Sequence, residues 1–214
     1  MQSIGILGSG TVGKTLASGF LQRGHDVTIG TRHPDKLAEW QAENPKAGIG
    51  SFAETANADV LVLAGKGSAA GDILEMAGAD ALKGKTVLDA TNPIAGTPPQ
   101  NGVLHFFTSL EDSLMERLQA NHPEAHFVKA FNSVGAHLMV DPQLEAKPSM
   151  FICGNNNAAK LEASRLIEAF GWAVEDMGSA EAARAIEPLC MLWCIPGFRE
   201  NQWGHAFKLL KPQA

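Results

Sequence analysis

The sequence predicts an α/β protein: a Rossmann-type, doubly wound and mainly parallel sheet with a small C-terminal α/β extension. Two observations carry this. The first thirteen residues run from an apolar strand, Ile4-Gly5-Ile6-Leu7, into the glycine turn Gly8-Ser9-Gly10-Thr11-Val12-Gly13, and a helix-forming stretch from Lys14 to Leu21 follows at once. Strand, glycine turn and helix in that order form a dinucleotide-binding unit. The second observation is that strand-like and helix-like stretches alternate along the rest of the chain, the pattern of parallel strands joined by crossover helices.

The elements follow in order. Gly8 permits a tight turn, Gly10 leaves room for a pyrophosphate, and Gly13 lets the helix pack closely on the strand. Glycines alone would only shape a loop; here the helix they open offers unpaired N–H groups and a partial positive charge to phosphates. The second strand, His25 to Gly30, runs into Thr31-Arg32-His33-Pro34-Asp35-Lys36. NAD-selective sites place an Asp or Glu here to bind the ribose hydroxyls. This chain has a hydroxyl and a guanidinium instead, with Lys36 one turn on, groups suited to a ribose phosphate through charge-assisted hydrogen bonds. The expected cofactor is therefore NADP(H).

Pro34 suits the first turn of a helix reaching Glu43. Gly48 to Ser51 reads as a short strand, and Ser51-Phe52-Ala53-Glu54 as a capping box opening a brief helix. Asp59 to Ala64 is a buried strand ending in Gly65-Lys66-Gly67, with a helix to about Ala79. Lys85 to Ala90 is the next strand, ending in Thr91-Asn92-Pro93-Ile94. Residues 95–108, rich in Gly and Pro, are irregular, and a loop at the carboxyl end of such a strand is expected to form a flap beside the nicotinamide. Ser109 to Asp112 is expected to cap a helix ending near Asn121. A strand from Ala125 to Phe131 ends in Asn132-Ser133-Val134-Gly135. The extension, from about residue 148, holds a strand at Ser149 to Cys153, a helix over 157–170, a strand at Ala173 to Met177 and apolar helical segments through Leu210. The whole chain, residues 1–214, is read as a single NADP-binding domain bearing that extension.

Bulk properties narrow the function. The 214 residues are 45% hydrophobic and carry a net charge of −6 with no basic block, which argues against nucleic acid as a partner. No apolar run approaches the roughly 20 residues of a membrane span, and no charged-then-apolar leader precedes the first strand, so no membrane partner and a cytoplasmic location are expected. Cys153, Cys190 and Cys194 show neither a C-x-x-C spacing nor a paired framework, as expected for reduced thiols, and no metal site is predicted. Cys190 and Cys194, one helical turn apart, read as part of a buried apolar helix. There is no tyrosine, which argues against the tyrosine–lysine proton transfer of short-chain dehydrogenases. The length leaves no room for the added helical domain of hydroxyacid dehydrogenases. His105, His126 and His137 are expected near ligand-side loops, as structural residues rather than proton donors.

Several motifs agree on one family: the glycine turn, Gly30-Thr31-Arg32, Thr91-Asn92-Pro93, Lys129-Ala130-Phe131-Asn132, Phe151-Ile152-Cys153-Gly154-Asn155 and Ile186-Glu187-Pro188-Leu189. In this order, over essentially the whole chain, they resemble the deazaflavin-dependent NADP reductases, and are similar to the reductase domain of the six-transmembrane metalloreductases. The resemblance implies an oxidoreductase passing hydride between NADPH and a flavin or deazaflavin co-substrate. It implies that Gly8, Ser9, Gly10, Thr11, Val12 and Gly13 hold the pyrophosphate, and that Thr31, Arg32 and Lys36 hold the ribose phosphate. Ala64, Gly65 and Lys66 would border the ribose, and Asn92, Pro93, Ile94, Ala130 and Asn132 would wall the nicotinamide. It also suggests a homodimer. The chain departs from the family in carrying no recognisable acceptor motif after Pro93 or in its C-terminal segment. Hydride transfer between two stacked rings requires no nucleophile, so no catalytic side chain is assigned. Two other readings stay open: an NADPH-dependent reductase of a small carbonyl or imine, and an NADPH sensor without turnover.

Overall fold

The computed structural model describes residues 1–212. In chain order, β1 (Ser3–Leu7) leads to α1 (Thr11–Gln22), β2 (Asp26–Gly30), α2 (Ala38–Glu43), β3 (Gly48–Gly50), α3 (Phe52–Thr55) and β4 (Val60–Leu63). Then come α4 (Ala70–Ala77), α5 (Ala79–Leu82), β5 (Thr86–Asp89), α6 (Leu114–Asn121) and β6 (His126–Lys129). The last part holds β7 (Ser149–Ile152), α7 (Asn157–Ala169), β8 (Ala173–Asp176) and α8 (Ala183–Glu200).

Six strands form one sheet in the order β3-β2-β1-β4-β5-β6, every pair parallel. This is the Rossmann-type order. The apolar runs predicted as strands are buried on both faces, as a doubly covered parallel sheet requires. Alternate side chains divide between two cores. Ile4, Ile6, Val60, Val62, Leu88 and Val128 pack with Leu16 and Phe20 of α1, with Ile167 of α7, and with Phe170 and Trp172. Leu7, Leu61, Leu63, Val87 and Phe127 face the other way, onto Ile73 and Leu74 of α4, Met115 and Leu118 of α6, and Ile186 of α8.

The C-terminal extension continues this architecture. β7 and β8 pair in parallel, and Cys153 makes an antiparallel bridge to Lys129 at the end of β6, with Lys129 N donating to Cys153 O at 3.0 Å. Met150 and Ile152 of β7 and Ala163 of α7 belong to the first core. α8 runs through Pro188 and Pro196, although an internal proline removes a helical hydrogen bond. Its buried face, with Ile186, Cys190 and Trp193, holds it in place.

Three expectations are corrected. The α6 cap is Ser113, not the Ser109–Asp112 stretch: its hydroxyl accepts from Glu116 N. The final segment is not helical through Leu210. α8 stops at Glu200, Asn201 takes a left-handed φ of 54°, and the chain folds back so that Ser149 N donates to Phe207 O at 2.9 Å. His126 begins β6 opposite Thr86, at the amino ends of the strands and away from the ligand side.

The buried Cys153 thiol is pushed up to about 12, chiefly by burial, well above the ~8.5 of a free cysteine. Cys194 is only half-buried, and Cys190 one turn away on α8 lowers its thiol from the ordinary value. Native protein treated with iodoacetamide at neutral pH is therefore expected to label at Cys194 first and at Cys153 only on unfolding. Peptide mass spectrometry reads the order, and early labelling of Cys153 would contradict the packing.

Candidate functional site

The connections leave β1 toward one side of the sheet and β4 toward the other, opening a crevice at their carboxyl ends. Gly8 starts the turn out of β1 with φ 138°, a conformation other residues avoid, and its N–H reaches Gly30 O at 3.2 Å. Gly13 lies where α1 crosses back over this turn; a Cβ there would sit 2.1 Å from Gly8 O. Gly10 is the N-cap of α1 and brings no side chain to the free N–H groups. A Cβ at Gly10 would meet nothing within 4 Å, so the space in front of the helix is open. No acidic residue stands in the first turn of α1. The helix end therefore faces the crevice with its partial positive charge uncancelled.

The end of β2 supplies the polar corner. Thr31 is buried; its N–H donates to Gly50 O at 3.0 Å, and its hydroxyl pairs with Ser9 Oγ at 2.9 Å while accepting His33 N–H at 3.0 Å. Arg32 is exposed and makes no ion pair among the described residues. A cavity of about 410 Å³ runs from Gly8, Ser9, Gly10, Thr11 and Val12 to Thr31, Arg32 and His33, floored by Phe52, Ala64, Gly65, Lys66, Ala69 and Ile73. Not one of these residues carries a carboxylate. Lys36 stands exposed in the single turn Pro34–Leu37, outside the lining, and Gly13 lies behind it as a packing residue.

Val12, Gly65 and Lys66 also border a second cavity of about 440 Å³, which carries the crevice on to Asn92, Ile94, Ala95 and Gly96. The segment expected as a flap is held here as a hairpin: Ile94 bridges Phe106 and Gln100 bridges Val103. Phe107 N donates to Pro93 O at 2.9 Å. Pro93 is buried within this wall, between Asn92 and Ile94, and Ala130 and Asn132 are buried and line neither cavity. Asn132 Nδ2 donates to Asn92 Oδ1 at 3.1 Å and Asn92 Nδ2 donates to Asn132 O at 2.7 Å, so the two predicted wall residues are locked together. Between them and Ala130, Phe131 is held in the left-handed region at φ 59°, a strain of about 1–2 kcal/mol for a non-glycine residue.

Behind the wall lies a cluster that the sequence reading did not assign. Lys129 Nζ lies 2.6 Å from Asp89 Oδ2 and 2.9 Å from Glu187 Oε1, and the three side chains are 0%, 0% and 1% exposed. Burial alone would push the Lys129 ammonium down, but the two carboxylates outweigh it and hold it above its ordinary value. The available signal was the charge closing two apolar runs, Val87-Leu88-Asp89 and Phe127-Val128-Lys129. A pocket of about 210 Å³ lies beside the cluster, between the end of the hairpin and α8, with Phe106, Leu110, Pro188 and Met191 around Glu187.

Comparison with known proteins gives a consistent answer. Residues 3–93 match the family described as NADP oxidoreductase, coenzyme F420-dependent. A crystal structure of an Arthrobacter protein assigned as an F420-dependent NADP-reductase is 35% identical, with a TM-score of 0.92 over 99% of this chain and 100% of that one. Metalloreductase STEAP3 of Rattus norvegicus is 30% identical over 90% of this chain, and human metalloreductase STEAP2 is 25% identical over 87%. This chain spans 38% and 35% of the length of those two proteins. An imine reductase from Streptomyces aurantiacus, 16% identical with a TM-score of 0.66 over 92% of this chain and 63% of that one, shares the fold. No helix among the described residues is long and apolar enough to cross a membrane.

The two glycines of the turn are expected to separate stability from binding. Gly13→Ala places a methyl group against backbone and should cost about 1–3 kcal/mol in urea unfolding. Gly10→Ala enters open space, and as an N-cap change it should cost no more than about 1 kcal/mol. The same methyl group should weaken NADPH by about tenfold or more in calorimetry. Unchanged NADPH binding by Gly10→Ala would contradict the placement of the pyrophosphate.

Proposed function

The chain belongs to the coenzyme F420-dependent NADP oxidoreductase family and is an NADP-dependent oxidoreductase; on that premise we propose that it passes hydride between NADPH and a deazaflavin or flavin, bound together in the crevice at the carboxyl ends of β1, β4 and β5. The observation that carries this reading is the lining of the crevice. One end offers hydroxyls, a guanidinium with no ion pair among the described residues and a helix N-terminus, with no carboxylate in the lining, and the other end is walled by Asn92 and Ile94.

In this reading the N–H groups at the start of α1 and the backbone of Gly8 to Val12 hold the pyrophosphate. Arg32 and the Ser9–Thr31 hydroxyl pair hold the ribose phosphate; a guanidinium forms charge-assisted bonds there, whereas a carboxylate would repel it. Lys36, one turn farther and in solvent, adds a long-range positive charge. Phe52 and Ile73 line the same end and give the adenine apolar surface. Ala64, Gly65 and Lys66 border the ribose. Asn92, Pro93 and Ile94, backed by Ala130 and Asn132, form the wall for the nicotinamide, which when bound supplies the hydride.

The chain's remaining task is to hold two rings face to face and to keep water out. The hairpin from Ile94 to Phe106 stands at the edge of that space and serves as its cover. No side chain need act as nucleophile for this transfer, and the accompanying proton reaches a flavin-type ring from solvent. Residues 1–214 act in this proposal as one NADP-binding unit with its extension from about 148. Exposed Leu192 and Phe198 on α8 support a homodimer.

Two measurements test the reading. Purified protein is expected to oxidise NADPH with coenzyme F420 or a flavin and not with a panel of small carbonyls and imines; turnover of the carbonyl panel alone would replace the acceptor assignment. Arg32→Ala removes charge-assisted bonds worth about 1.5–3 kcal/mol. It should weaken NADPH about tenfold to a hundredfold and leave NADH nearly unchanged. Equal losses for both coenzymes would show that Arg32 does something else.

A further inference from the structure

The buried cluster of Asp89, Lys129 and Glu187 touches neither large cavity, so the hydride-transfer reading does not use it directly. Asp89 and Lys129 are register partners at the carboxyl ends of β5 and β6. Lys129 Nζ contacts both carboxylates and donates to Thr91 O at 3.0 Å. Asp89 Oδ1 accepts from Thr91 N at 2.9 Å and from Thr91 Oγ1 at 2.6 Å. Glu187 reaches from α8 to the first turn of α6, where Oε2 accepts from Leu114 N at 2.9 Å and Oε1 from Met115 N at 3.0 Å. Arg184, one turn earlier on α8, binds Glu116 of α6 with two nitrogens and repeats the tie at the surface.

Stability alone does not call for such a cluster. Taking an ion out of water costs several kcal/mol, and apolar replacements of buried ion pairs are often neutral or stabilising. What the cluster does supply is directional contact at three places at once. Through Asp89 and Lys129 it grips all three polar atoms of Thr91, the residue before Asn92 and Pro93. Through Glu187 it fixes the start of α6, where the chain returns from the hairpin that adjoins the wall. The same α8 also receives Asn132, whose Nδ2 donates to Ile186 O at 3.0 Å as well as to Asn92. The wall is thus held from the strand side and from the helix side, and the charges that hold it stay out of solvent.

We propose that Lys129 is the positioning residue of the nicotinamide end: with Asp89 and Glu187 it fixes the Thr91–Pro93 wall against which the nicotinamide ring is set. Lys129 is fully buried and acts through Thr91 rather than on the ring. This rests on the placement of the nicotinamide proposed above.

The test compares two ligands by calorimetry, NADPH and 2′-phospho-ADP-ribose, which shares every part of NADPH except the nicotinamide. Wild type is expected to bind NADPH more tightly. Lys129→Met, close in length but uncharged, is expected to weaken NADPH about tenfold and 2′-phospho-ADP-ribose less than about twofold. Glu187→Gln, which keeps an acceptor for α6, is expected to act in the same direction with a smaller effect, and it decides the matter if Lys129→Met does not fold. Equal weakening of both ligands, or no change in either, would overturn the positioning role and leave the coenzyme placement intact. Wild type that binds the two ligands equally would overturn the nicotinamide placement and this inference together. Failure to turn over coenzyme F420 would touch only the acceptor.

Discussion

A parallel sheet in which β1 and β4 are neighbours has to send its chain to opposite sides at that junction, and the gap this leaves is the constraint around which the rest of the protein is arranged. The gap is narrow because backbone meets backbone across it. A Cβ at Gly8 would lie 2.6 Å from Ala64 O. At such separations only a chain without side chains can pass, and the sheet ends, the first helix and the β4 loop converge on one groove. Membership of an NADP-dependent oxidoreductase family follows from the comparisons, and the reading proposed above places the coenzyme in this groove.

Charge is distributed along the groove in a way that suits its two ends. The polar corner keeps its positive groups free and in contact with water: Arg32 is exposed, and α1 begins without an acidic residue. An anion arriving there replaces solvent and displaces no internal partner. At the other end the charges are turned inward. Asp89 and Glu187 pair with Lys129 and accept from Thr91 and from the start of α6, out of contact with the crevice.

Much of this was legible from the order of residues, and the exceptions share a cause. Strands announced themselves as continuous apolar runs, because a sheet covered on both faces has no polar side. The Ser51–Glu54 capping box formed as read, since both of its bonds are local. The cap of α6 falls at Ser113 and not in the expected Ser109–Asp112 stretch. Ser113 prevails where Glu187, far along the chain, captures the N–H groups of Leu114 and Met115, a tertiary contact no local pattern contains. The C-terminal tail misled for a similar reason: its apolar residues suggest helix, but Trp203 packs on Gly197 and His205 stacks on Trp193, so the apolar surface is used by folding back. The buried cluster escaped because a charge at the end of an apolar run usually points into water. Lys129 does not, and only the register of β5 against β6 and the reach of α8 reveal its partners.

The most direct measurement is a crystal structure of the protein with NADPH bound. The 2′-phosphate is expected within hydrogen-bonding distance of Arg32 and the Ser9–Thr31 hydroxyls, the pyrophosphate over the start of α1, and the nicotinamide against Asn92 and Pro93. Coenzyme lying in the reverse direction, or with its 2′-phosphate held away from Arg32, would contradict this placement.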